Sequence, residues 1–264
     1  MTFIKLCIFS LIAMTTVVNA DEMKPLKVCG EDSQWFPHVF TSQGKPAGIQ
    51  VRLAEEAFKA ANIGVALKLL PWKRCLQFAE SGLVDAIIGA SYNTERSAYL
   101  FYPDDAELAQ REQRQSPSAL ALVRYVVITP KEINYQYAGD PQSLPQSVLL
   151  PLGFSLADDL VAMGIEIDSA GKRDIDNLHR LAMYKQGSTI VIETLARHAL
   201  KSGLDNKLSI SDKPYTYKNN YLAFSKRGNV SAELRIKLWQ SVAAVRESIG
   251  ERIEQEVMAL PFEP

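Results

Sequence analysis

The chain has 264 residues, with 29 Lys and Arg against 30 Asp and Glu, a formal net charge of −1, 47% hydrophobic residues and 22% charged ones. That even balance excludes the basic stripe of a nucleic-acid binder, and the length admits one large or two smaller domains. His38, His179 and His198 lie far apart, and no Cys/His spacing resembles a zinc site, so neither a metal nor a cofactor is expected.

The N-terminus reads as a secretory signal. Lys5 supplies the positive start, an apolar run follows over residues 6–18, and Val18-Asn19-Ala20 ends it. A run of about 13 residues is too short for the ~20 of a spanning helix. Cleavage after Ala20 is expected, which leaves 244 residues (264 less 20) at a net charge of −2, because Lys5 is the only charge removed. Cys7 lies inside the apolar run with no small-residue box before it, which argues against a lipid anchor. Cys29 and Cys75 survive processing. In an oxidising compartment an even pair is a disulfide candidate, with two separate buried thiols as the alternative. A closed loop of about 46 residues contributes on the order of 3–4 kcal/mol.

Residues 26–29 read as a strand ended by Gly30, and residues 31–40, with Pro37, as a loop. Val51, Leu53, Ala54, Ala57, Phe58 and Ala61 recur at helical spacing over 49–61. Residues 65–70 form a strand, 74–81 a helix ended by Gly82, and 84–89 a near-continuous apolar strand, as in a covered parallel sheet. Residues 107–118 read as an exposed connection, and 119–129 as an extended run long enough to cross between domains. A loop over 134–146 leads to a strand over 148–152 and a helix over 156–163. Ser155 is a candidate N-cap for that helix, with Asp158 and Asp159 in its first turn. A helix over 175–184, a buried strand over 189–192 and a helix over 194–202 follow. Residues 215–225 make a second long extended run. Leu234, Leu238, Val242 and Val245 then form one stripe of a helix over 231–249. Alternating strands and helices argue an α/β fold with mainly parallel sheets, and two units joined by two extended segments describe a hinged clamp. The expected division is signal peptide 1–20, first lobe 21–124, inserted second lobe 125–218, and a return to the first lobe with the C-terminal helix over 219–264.

Three stretches carry a resemblance to a known family: Gly30-Glu-Asp-Ser-Gln-Trp-Phe-Pro37, Leu70-Pro-Trp-Lys-Arg-Cys-Leu76 and Val84-Asp-Ala-Ile-Ile-Gly-Ala-Ser-Tyr-Asn-Thr-Glu-Arg96. In this order, after a signal peptide, they resemble the family 3 extracellular solute-binding proteins, polar amino acid receptors of ABC importers with the type II periplasmic binding fold. The resemblance runs from about residue 27 to about 253. It implies a periplasmic, monomeric receptor that is not an enzyme, with two partners: a small amino-acid-like solute and the importer's membrane permease. Cys29 followed by Trp-Lys-Arg-Cys also resembles a subgroup of such receptors, which implies the Cys29–Cys75 disulfide.

The resemblance assigns Arg96 to the solute's carboxylate, and the chemistry agrees, because a planar guanidinium meets a carboxylate with two parallel charge-assisted hydrogen bonds. Gly89 and Ser91 match positions that give backbone groups and a hydroxyl, at the carboxyl end of a strand where open α/β sheets bind ligands. Trp72 and Trp35 match aromatic walls able to hold an apolar side chain or an ammonium. Asp32 matches a ligand-contacting position, with Glu31 as its fallback. Arg74 is expected to reach the cleft from less than a turn beyond Trp72, or else to pair with Glu80 or Asp85. In the second lobe, Phe154 and Ser155 stand at a helix start that favours an anion, and Glu193 matches the acid for the solute's ammonium. Relatives often carry two Asp where this chain has Gln50 and Arg52, here taken as capping and surface changes. Two other readings are weighed: a sensory or orphan receptor, and a dehydratase-like enzyme on the same fold. The second is weakened by a cleft with one acid and no Ser/His/Asp set.

Overall fold

The computed structural model describes residues 24–151 and 153–260; the signal assigned to residues 1–20 lies outside them. In chain order the strands and helices are β1 (Leu26–Glu31), β2 (Phe40–Ser42), β3 (Lys45–Ala47), α1 (Ile49–Ala60), β4 (Val65–Leu70), α2 (Trp72–Ser81), β5 (Ala86–Ser91), α3 (Thr94–Ser97), β6 (Leu100–Phe101) and α4 (Ala106–Arg111). Then come β7 (Ala121–Pro130), β8 (Val148–Leu149), α5 (Ser155–Ala162), β9 (Ile167–Asp168), α6 (Asp174–Tyr184), β10 (Ser188–Ile192), α7 (Glu193–Ala199), β11 (Leu208–Ser225) and α8 (Ala232–Met258). No helix among the described residues is long and apolar enough to cross a membrane.

Nine strands form one mixed sheet in the order β4-β1-β5-β11-β7-β10-β8-β9, with β6 added to β11. The layout is a two-lobed α/β fold. In one lobe β1 runs parallel to both β4 and β5; in the other β8 runs parallel to both β10 and β9. The two long strands β7 and β11 pair antiparallel between these groups, from Leu208 opposite Pro130 to Asn220 opposite Ala121, with register shifts around Pro214. Proline has no N–H to give the ladder, so an irregularity there is expected. Positions 124/125 and 218/219, the lobe boundaries assigned from the sequence, fall within these two strands.

The apolar stripes explain the layers. Val51, Ala54 and Phe58 of α1 and Leu238, Val242 and Val245 of α8 share one core with Val28 and Ile88 of the sheet. On the other face of the first lobe α2 contributes Trp72, Cys75 and Ala79 to a cluster with Cys29 and Ile87. The disulfide joins Cys29 to Cys75 there, with Cα atoms 5.9 Å apart. Gly82 ends α2 at φ +79, and a Cβ on it would come 2.9 Å from the Arg227 carbonyl oxygen, so glycine is required at that stop. In the second lobe Leu178 and Leu181 of α6 and Ala196 and Ala199 of α7 pack on Val126 and Val191.

Three expectations are corrected. The segment read as an exposed connection begins with α4, whose Ala106 and Ala109 are buried. Helix α8 runs on to Met258, because Ile253 and Val257 are also buried. Ser155 is the first residue of α5 rather than its N-cap; Phe154 holds the cap position, with no side-chain cap bond.

Candidate functional site

A narrow cleft lies where the ends of β1 and β5 meet β7, β11 and the start of α5. Its centre is Arg96 on α3. Asn93 caps that short helix, its side chain accepting the Arg96 backbone N–H at 2.7 Å. The Arg96 side chain is 3% exposed. Its Nη1 donates to the Ser91 carbonyl at 3.2 Å and to Ser91 Oγ at 3.1 Å, and its Nη2 donates to the Gly153 carbonyl at 2.9 Å. The guanidinium also lies over the Trp72 ring, 5.4 Å from its centroid. These partners are neutral, and Arg96 forms no salt bridge among the described residues. Its charge acts at longer range on two carboxyl groups, Glu31 in the same cleft and Asp158.

The lobes meet at this point. Trp72 Nε1 donates to the same Gly153 carbonyl at 3.0 Å. Ser91 Oγ and Ser155 Oγ share a hydrogen bond of 2.9 Å. Lys218, in β11, donates to Ser155 Oγ at 2.9 Å and to Asp159 at 2.6 Å. Burial pushes the Lys218 pKa down, and the Asp159 carboxylate opposes that shift. Gly153 has φ +84, a backbone that presents its carbonyl to two donors and that other residues resist.

Seven of the residues singled out by sequence therefore line one cleft: Trp35, Trp72, Gly89, Ser91, Arg96, Phe154 and Ser155. Three stand elsewhere. Asp32 is exposed, whereas Glu31, its fallback, lines the cleft. Glu31 is the last residue of β1, whereas Asp32 lies just beyond the strand's end. Arg74 is exposed, because on α2 it follows Trp72 by two positions and two such residues do not share a helix face. Glu193 is held by Arg124 at 2.6 Å and by Arg197, four residues on along α7, at 2.6 Å. It lines a separate depression with Lys131 and Asp205. Although burial opposes it, bonds to the two arginines hold its carboxyl below the usual range.

Gln50 also departs from expectation. It is fully buried, neither atom of its amide has a partner among the described residues, and its Oε1 would stand 3.1 Å from a Cβ on Gly89. It belongs to the floor behind the cleft and not to the surface. Arg52 does lie at the surface, paired with Glu256 at 3.1 Å. Asn220 and Tyr125 line the cleft without having been singled out. Both sit in the crossing strands, and the signal available was topological: segments that join two lobes must pass beneath the cleft between them. Asn220 donates to the Gly89 carbonyl at 2.7 Å, and its Oδ1 has no partner among the described residues.

Residues 26–107 match the family of bacterial extracellular solute-binding proteins, family 3, so the resemblance named from the sequence is borne out over that stretch. No curated protein matches the chain. Among solved structures it is similar to a histidine kinase sensor domain with similarity to periplasmic binding proteins, at 19% identity and TM-score 0.71, covering 92% of this chain and 100% of that one. It is similar to the arginine-, lysine-, histidine-binding protein of Geobacillus stearothermophilus, at 17% identity and TM-score 0.67, covering 91% and 97% of the two chains. A third is an amino acid ABC transporter substrate-binding protein of Streptococcus pneumoniae bound to L-arginine, at 19% identity and TM-score 0.67, covering 91% and 97%. These likenesses establish the type II periplasmic binding fold.

Proposed function

We propose that this chain, with a first lobe that matches family 3 and a type II periplasmic binding fold, is an exported receptor for a small amino-acid-like solute, which it captures by hinge closure and hands to the permease of an ABC importer. One observation carries the reading: Arg96 is a buried guanidinium between two lobes, and its hydrogen bonds among the described residues go to neutral oxygens. A carboxylate that took its fork would gain two charge-assisted bonds. Trp72, Trp35 and Phe154 offer apolar walls to the rest of the solute. The hinge is assigned to β7 and β11, the two strands that run between the lobes, near the irregular pairing at Pro214. Residues 1–20 act as a cleaved signal in this reading, and the mature chain works as a monomer in the periplasm with no catalytic step.

A thermal-shift screen over the standard amino acids, small peptides and organic acids tests it. A bound solute at 100 times its dissociation constant adds about 2.7 kcal/mol of stability, so at least one amino-acid-like compound must raise Tm. A screen in which only compounds without a carboxylate do so contradicts the reading.

The likeness to a kinase sensor domain supports a second reading, a receptor that presents its solute to a signalling partner. Solute uptake by cells with and without the gene separates the two. Unchanged uptake of a solute that the purified protein binds favours the sensory role.

A further inference from the structure

Lys218 is placed in a way that the pairing of β11 with β7 does not require. It stands opposite Val123 in the crossing strands, yet its side chain, 5% exposed, reaches Ser155 on the cleft wall at 2.9 Å. Its ion-pair partner Asp159 is 40% exposed, so the lysine carries most of the burial. Burying an ammonium is costly, and a buried ion pair contributes little net stability. The bonds beyond Lys218 give that burial a purpose. Ser155 Oγ shares a hydrogen bond of 2.9 Å with Ser91 Oγ, and Ser91 Oγ accepts from Arg96 Nη1 at 3.1 Å. The four groups come from β11, α5, β5 and α3. Both serines are 5% exposed and line the cleft. A serine pair thus spans the two lobes with a cation donating into each end.

A serine hydroxyl has one hydrogen and two acceptor positions, whereas an ammonium and a guanidinium only donate. Lys218 fills one acceptor position on Ser155, and Arg96 fills one on Ser91. The bond between the serines fills a third and uses one of the two hydroxyl hydrogens. Whichever serine donates to the other, one hydroxyl hydrogen is left with no acceptor among the described residues, on a pair that lines the cleft. Buried hydroxyls find acceptors, and a hydroxyl that already accepts from a cation is a stronger donor, because bonds in a chain polarise one another. We propose that Lys218 is a positioning residue of the site. It acts through Ser155 on Ser91, joining the two lobes and turning the serine pair into a donor for the solute's carboxylate beside Arg96. The inference rests on the reading of this cleft as a solute site. It makes Ser155 a link between the lobes, and it makes Lys218, which does not line the cleft, a determinant of affinity.

A double-mutant cycle tests this. Isothermal titration of the wild type with each standard L-amino acid identifies the tightest binder, which is then titrated into Lys218→Met, Ser91→Ala and the double variant. Methionine keeps the unbranched length of the side chain and removes its donors. Lys218→Met should weaken binding about tenfold, as expected for lost bonds to a charged group. Beside Ser91→Ala the same change should cost less than about twofold, because the chain is already cut. A merely structural lysine would cost the same factor in both backgrounds, since independent effects add. The Tm of each variant without solute reports its folding, and Lys218→Gln repeats the cycle if Lys218→Met unfolds. Equal losses in the two backgrounds, or no loss from either Lys218 variant, overturn the positioning role and leave the solute reading standing. Binding of no amino acid to the wild type overturns the solute reading on which the role rests.

Discussion

Asp174, the first residue of α6, is 6% exposed, and neither of its carboxyl oxygens has a partner among the described residues. That burial is costly to the fold, and the cost depends on pH. An unfolded aspartate gives up its proton near 3.8, whereas the folded carboxyl holds it to about 8. Between those values the folded state binds more protons, so stability falls as pH rises through that window. Asp174→Asn removes the titration while keeping the shape. By differential scanning calorimetry the variant should melt with the wild type near pH 4 and above it at pH 8. A gap that stayed constant with pH would contradict the burial argument. At this scale the sequence was legible where a side chain's direction follows from a local motif. Gly89, Ser91 and Arg96 sit at and just beyond the end of one apolar strand, and all three reach the cleft. It was illegible where direction depends on register or on a distant partner. The choice between Glu31 and Asp32 turns on where β1 ends, and Arg74 on the phase of α2. Glu193 is claimed by Arg124, 69 positions away, and no local pattern reveals that. Asp174 reads as an ordinary helix-start acid, and only burial without partners distinguishes it.

The elements that hold the site are β5, whose end carries Ser91, and α2, whose start carries Trp72. The disulfide ties α2 to β1 across a separation of 46 residues. Closing a loop of that length restricts the unfolded chain by about 3–4 kcal/mol. Cys75→Ser should therefore lower Tm by several degrees, and reductant should lower the wild type to match. A variant as stable as the oxidised wild type would show that the bond contributes little. Long periodic elements were legible, α1 and the first half of α8 above all. Short ones were not: α3 and α4 span 4 and 6 residues, too few for a period to show. Strand β11 begins at Leu208, earlier than its apolar run, because pairing with β7 extends it through the polar residues before Tyr215.

For the whole molecule the decisive contact is the Gly153 carbonyl of one lobe, shared by Trp72 and Arg96 of the other. In the proposed function the group that takes the solute's carboxylate is also the group that bridges the lobes, and that proposal predicts binding and closure to be coupled through one guanidinium. The two-lobed plan was legible from two long extended segments between α/β units. That they join into a single continuous sheet was not, because the mutual pairing of β7 and β11 leaves no mark in either segment alone. Arg96→Lys tests the coupling most directly. It keeps the charge but loses the planar fork that can meet a carboxylate and the Gly153 carbonyl together. Titration calorimetry with an amino acid that stabilises the wild type should show its affinity reduced by about a hundredfold or more, the loss of two charge-assisted bonds. Equal affinity in the wild type and Arg96→Lys would contradict the claim that Arg96 receives the solute's carboxylate.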